Sequence, residues 1–299
     1  MRKTLFYFIS VFFLSLSLFP LVDSLSTDLV DQVLIAAIFI LGIPHGAIDN
    51  ILMKRRTGWS SSRFYVFYMS LIGLNIGLWF VYPAASLLLF LFVSAYHFGQ
   101  AQMSHYFQKK NLIHTLFYFS WGNLVLNFFF LFKRVEIISY FEELASYPQM
   151  AFIFDEHLLS GFLLANLLVL LTCAMILIVR KQFSLLSFAI EGLILLMVGT
   201  IAYLYHFVFG FAIFFILLHA MPVLLEEYAE FYSKFNWSSL LSFLKMLSPF
   251  TLLSLFGVFF LFALKDFGYL DFPYLFLILL AGSSITLPHV WVMKKFYRE

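Results

Sequence analysis

Ten stretches of apolar residues, each closed by charged or turn-forming residues, constrain this chain more than any other feature. They cover approximately residues 4–22, 30–50, 64–82, 84–103, 112–132, 158–179, 184–204, 206–225, 240–264 and 272–293. At 1.5 Å of rise per residue, about 20 residues of helix cross the ~30 Å hydrocarbon core of a bilayer. Lipid offers the backbone no hydrogen bonds, so only helices and closed barrels span it. Barrel strands alternate polar and apolar residues, whereas these runs are continuously apolar. Charged residues make up only 11% of the chain, against about 25% in a soluble domain. The expected fold is therefore all-α: a polytopic transmembrane helical bundle of about ten spans, forming a single integral-membrane domain over residues 1–299.

The basic residues give the bundle a direction. With the N-terminus inside, 14 of the 18 lysines and arginines fall in cytoplasmic segments. Only Lys133, Arg134 and Lys265 fall outside, and Lys245 lies within the ninth span. This asymmetry satisfies the positive-inside rule and places both termini in the cytoplasm. Residues 1–22 could be a signal peptide, but no small-residue cleavage site stands near Leu21-Val22-Asp23-Ser24, so a retained first span is expected. The longest connection, 133–157, mixes acids and bases and is expected to carry a short interfacial helix. The single cysteine, Cys173, excludes a disulfide framework or a cysteine-based zinc site. A net charge of +2 gives no reason to expect nucleic acid.

Four of the eight histidines fall at one depth. His45, His97, His219 and His289 lie on the second, fourth, eighth and tenth runs, all descending toward the cytoplasm. The polar boundary follows each within five to twelve residues, at Lys54, Lys109, Glu226 and Lys294, or roughly 8–18 Å of helix. A lone histidine near a span end is most often interfacial. Four on separate helices at matching depth point instead to a shared interior layer, because ionisable groups in a membrane are costly. Neutral imidazole is the commonest metal ligand, and an all-histidine site suits iron, zinc or copper. His105, His114, His157 and His206 are expected at surfaces or interfaces.

Two carboxylates belong with this layer. Asp49 lies one turn beyond His45 and can orient an imidazole from the second shell of a metal site, or simply close a helix. Glu191, in SFAIEGLILL, lies close to the cytoplasmic start of the seventh run, needs a partner or a proton there, and is the candidate catalytic residue, able to manage a proton. Gln100, one turn past His97, can bind water or backbone.

IPHGAID around His45, SAYHFGQAQ around His97, FFILLHAMP around His219 and TLPHVWV around His289 resemble the motifs of the Brp/Blh family. These are membrane β-carotene 15,15'-dioxygenases associated with microbial rhodopsins, and the resemblance spans residues 30–293. It implies a non-haem Fe(II) enzyme of the cell inner membrane that uses O2 to cleave β-carotene, drawn from membrane lipid, into two retinals. A retinal-using rhodopsin is then the expected partner. His45, His97 and His219 match iron-ligand positions of the family.

The chain departs from the family pattern twice. A histidine normally follows the third ligand by four residues, where this chain has Val223, and an acid normally follows HFG where it has Gln102. His289 is the expected fourth ligand, with Glu191 as a less favoured substitute. Phe98 and Tyr96 are expected near the metal. Gly42, Gly46 and Gly99 are expected to allow close backbone approach. The departures leave a second class of function open, a non-catalytic carotenoid or isoprenoid binder or transporter, which need contain no metal. Transport folds commonly carry internal repeats, and none is evident here.

Overall fold

A computed structural model describes residues 2–22, 27–107, 111–142 and 153–297, which are helical almost throughout. The chain runs through α1 (Arg2–Val22), α2 (Thr27–Gly42), a 3-10 turn (Ile43–Gly46), α3 (Asp49–Thr57), α4 (Ser61–Val81), α5 (Pro83–Met103) and α6 (Leu112–Phe132). After these come α7 (Arg134–Glu142), α8 (Glu156–Val179), α9 (Leu185–Leu204) and α10 (Phe207–Ala212). A π-helical segment (Ile213–Ala220) leads into α11 (Met221–Phe231), followed by α12 (Trp237–Asp266) and α13 (Tyr274–Phe296). No strand occurs among the described residues. Several expected landmarks lie outside them, namely Asp23, Ser24, Lys109, Lys110 and Arg298.

Nine helical stretches among the described residues are long and apolar enough to cross a membrane, and the protein is a polytopic helical membrane protein. The expected first span is shorter in apolar length, Leu5–Pro20. It is nevertheless built into the bundle, with Phe8 and Val11 buried. Large apolar side chains point outward from the peripheral helices, such as Leu164, Leu168 and Met175 on α8 and Leu252, Phe256 and Phe260 on α12. Apolar surface on this scale belongs against lipid rather than water. Inside, polar side chains join helices: Asn75 and Trp79 of α4 both donate to Ser283 of α13, at 2.9 and 2.7 Å, an arrangement common between membrane helices.

Three local irregularities shape the interior. The second expected span is not one helix. Pro44 lacks an N–H and helical continuity fails there, so α2 gives way to the 3-10 turn before α3 resumes. In the π segment, Met221 N–H reaches back to the carbonyl of Ile216, and Pro222 has no donor to offer Leu217. The Leu217 carbonyl instead accepts from the Tyr7 hydroxyl of α1 at 2.7 Å, which satisfies a buried group. Tyr7→Phe should therefore lower stability by about 1 kcal/mol, measurable as a lower midpoint in detergent thermal unfolding.

The third irregularity is the crossing of α5 and α6. A Cβ on Gly99 would run into the Tyr118 carbonyl, and one on Gly122 into the Ala95 carbonyl. These backbones touch because neither glycine carries a side chain.

The short helix expected in 133–157 is α7. Arg134 Nε donates to the Phe154 carbonyl at 2.9 Å, and Phe207 N–H donates to Glu136 at 2.6 Å. Residues 143–152 of that connection lie outside the described set.

Candidate metal centre

Each of the four histidines reaches the interior from its own element. His45 sits on the 3-10 turn, His97 on α5 two residues before Gly99, His219 near the end of the π segment and His289 on α13 just after Pro288. All four are buried. Their rings form a closed circuit: His45 to His219 at 5.5 Å between centroids, His219 to His97 at 4.9 Å, His97 to His289 at 5.0 Å and His289 to His45 at 4.8 Å. His45 and His97 face each other across the circuit at 6.4 Å, parallel within 8°. The other two rings stand at 85–87° to them. One candidate ligand atom each from His45, His97 and His289 falls within 4.8 Å of the others. His219 stands outside this tightest group. The family motifs pointed first to His45, His97 and His219, yet the geometry draws His289 into the closest set.

The nitrogens are arranged as metal binding needs them. His45 Nδ1 donates to the Gly42 carbonyl, which leaves Nε2 as the lone-pair nitrogen. His289 Nδ1 lies 3.0 and 3.1 Å from the two Asp49 oxygens, with the same result. Tyr68 of α4 donates to Asp49 Oδ2 at 3.1 Å. Such outer partners fix tautomer and ring orientation. The Nε2 atoms of His219 and His289 and both ring nitrogens of His97 have no protein partner. Buried polar atoms are rarely left unpaired, so this donor set fits a metal ion held by imidazole.

Asp49 differs from the expectation drawn from its spacing. It lies one turn from His45 in sequence, but the turn at Pro44 breaks the shared helical face, and Asp49 pairs with His289, 240 residues away.

Glu191 is buried and accepts from Gln102 Nε2 at 2.9 Å and Tyr106 Oη at 2.8 Å. None of its described hydrogen bonds goes to the four rings. This contact gives the Gln102 departure a physical reason, since an acid at 102 would set two carboxylates against each other where an amide donates. Val223 is buried among apolar groups that include Ala47, Leu52 and Met293.

Phe98 packs on the His219 ring at 4.7 Å, as expected, whereas Tyr96 turns toward Tyr118 of α6. The glycine expectations match the close approaches. A Cβ on Gly46 would meet the His289 ring at 3.1 Å, and one on Gly42 would meet Phe215 at 2.5 Å. A narrow, partly open recess borders His219, with Phe98, Gln102, Trp121 and Glu226 among its walls.

The remaining histidines divide. His105 and His157 are exposed, and His206 is partly buried, 3.2 Å from Asp31. His114 corrects the surface expectation. It is buried, and its Nδ1 accepts from Asn111 N–H at 3.1 Å in a capping box that starts α6. Two groups near the centre, Tyr68 and Glu227, carry no motif and went unassigned in the sequence. Gln100, expected to bind water or backbone, proves buried with neither amide atom partnered.

Fold and site together define a helical membrane protein with a buried cluster of four histidines. The family model described as Beta-carotene 15,15'-dioxygenase matches residues 36–297, and the chain belongs to that family. Neither the curated proteins nor the solved structures contain a match.

Proposed function

We propose that this protein is an Fe(II)-dependent dioxygenase of the cell inner membrane that splits β-carotene at its central double bond into two retinals. The observation that carries the reading is the circuit of four buried imidazoles, three of them with unpartnered nitrogens, in a chain that belongs to the β-carotene dioxygenase family. His45, His97, His219 and His289 would hold the iron. Bound Fe(II) would supply the redox chemistry that divides the two atoms of O2 between the two halves of the polyene.

The chain's own residues supply position and a dry site. The Gly42 carbonyl and Asp49 hold His45 and His289 in the tautomer that presents Nε2. Phe98 and Phe215 flank the rings at 4.7 Å from His219 and 6.0 Å from His45, where they exclude water and offer apolar contact to a polyene. The products carry every atom of substrate and O2, so no protein acid or base has to gain or lose a proton overall. Glu191, bound to Gln102 and Tyr106, then supports the wall of the recess. A membrane-dissolved substrate enters from lipid between helices, and a retinal-using rhodopsin is the natural consumer of the product.

Expression in β-carotene-producing bacteria provides the test. Cells carrying the protein should lose orange colour and accumulate retinal, read by extraction and chromatography. Intact β-carotene without retinal, despite membrane insertion and bound iron, would overturn the assignment.

A further inference from the structure

Glu227 of α11 is fully buried, and neither of its carboxylate oxygens has a hydrogen-bond partner. The other buried or partly buried carboxylates of this region are provided for. Asp49 has His289 and Tyr68, Glu191 has Gln102 and Tyr106, and Glu226 accepts from Tyr297 at 2.8 Å. Among the described residues no lysine or arginine forms an ion pair with any of the four. Among the described residues, the charged groups that bear on Glu227 are Asp49 and Glu226, both of the same sign. A carboxylate in that position raises the energy of the protein unless something positive arrives.

The histidine centre is where a positive charge would arrive. Four neutral imidazoles carry a divalent ion without cancelling any of its charge, and in a low-dielectric interior the surplus acts over long distances. Asp49, hydrogen-bonded to His289, can offset one unit. Glu227 follows His219 by eight residues, or about 12 Å of helix axis. α11, which carries it, packs on the 3-10 turn that holds His45.

We propose that Glu227 is the second counter-charge of the bound ion, so that with Asp49 two negative charges balance two positive ones without Glu227 touching the metal. This rests on the metal reading above. It assigns a role to a residue that no motif marks.

The test is metal affinity in detergent-purified protein, titrated with Co(II), Zn(II) and Ag(I). Coulomb energy scales with the charge of the ion, so Glu227→Gln should weaken divalent binding by about tenfold and Ag(I) binding by only about threefold. Glu227→Asp, which keeps the charge, should remain within about threefold of wild type for both. The metal-free Glu227→Gln protein should be no less resistant to thermal unfolding than wild type, since a neutral amide replaces a buried carboxyl group that has no partner there.

Equal losses for both valences, or an unchanged divalent affinity, would overturn the counter-charge role while leaving the metal site standing. Failure of the wild-type protein to bind any of the three ions would overturn the metal reading and this inference together.

Discussion

Metal content should fall to background in His97→Ala and in His289→Ala protein alike, and retinal formation should fall with it. His97 faces the interior with both ring nitrogens unpartnered, so the ring has no other evident task. His289 belongs to the closest group of ligand atoms, although the family's histidine motifs would have placed His219 and a residue at position 223 ahead of it. Removing an outer partner of a metal ligand typically costs 10- to 100-fold in affinity. Asp49→Asn should fall in that range, and loss of a ligand should exceed ~100-fold. His45→Ala and His219→Ala should follow the ligand pattern. Equilibrium dialysis with Co(II), or iron analysis of protein purified without oxygen, measures the series. Stoichiometric metal in His289→Ala protein would remove that residue from the set and return the fourth position to open question.

The second large effect is mechanical. Gly99→Ala and Gly122→Ala should each destabilise the bundle by about 3 kcal/mol or more, at the top of the usual range for overpacking. In both cases the obstacle is a backbone carbonyl rather than a flexible side chain. A helix cannot rotate a carbonyl aside as it would a leucine, so α5 and α6 must separate. His97 lies two residues from Gly99, and its ring would leave the circuit with the helix. The variants should lose metal and show lower unfolding midpoints or aggregate on size-exclusion chromatography. A Gly122→Ala protein within ~0.5 kcal/mol of wild type, the scatter of ordinary surface substitutions, and still metal-loaded would contradict the account.

How much of this was legible depends on the range of the interaction. The spans were legible because length and continuous apolarity are local properties that lipid enforces. The histidine layer was legible because depth in a membrane can be counted from the nearest charged boundary, which follows His45, His97, His219 and His289 within five to twelve residues. Direction around each helix is a different matter. The one-turn spacing of Asp49 from His45 implied a shared face, but the break at Pro44 removed it, and the true partner lies on α13. Glu227 sits in LLEEYAE beside Glu226, a pattern that usually marks a solvated helix end. Its burial depends on how α11 packs against elements distant in sequence. His114 read as interfacial because it follows a charged loop, whereas its capping role needs the backbone of Asn111.

The pairing of Asp49 with His289 also bears on how the protein is made. A chain inserts into the membrane in order, and the carboxylate is available long before the helix carrying its imidazole partner emerges. Until α13 is in place the circuit lacks a corner and Asp49 lacks its ring. On the proposed metal role, competence to hold an ion is therefore acquired only when α13 is in place, and ion loading would report assembly of the circuit rather than guide it.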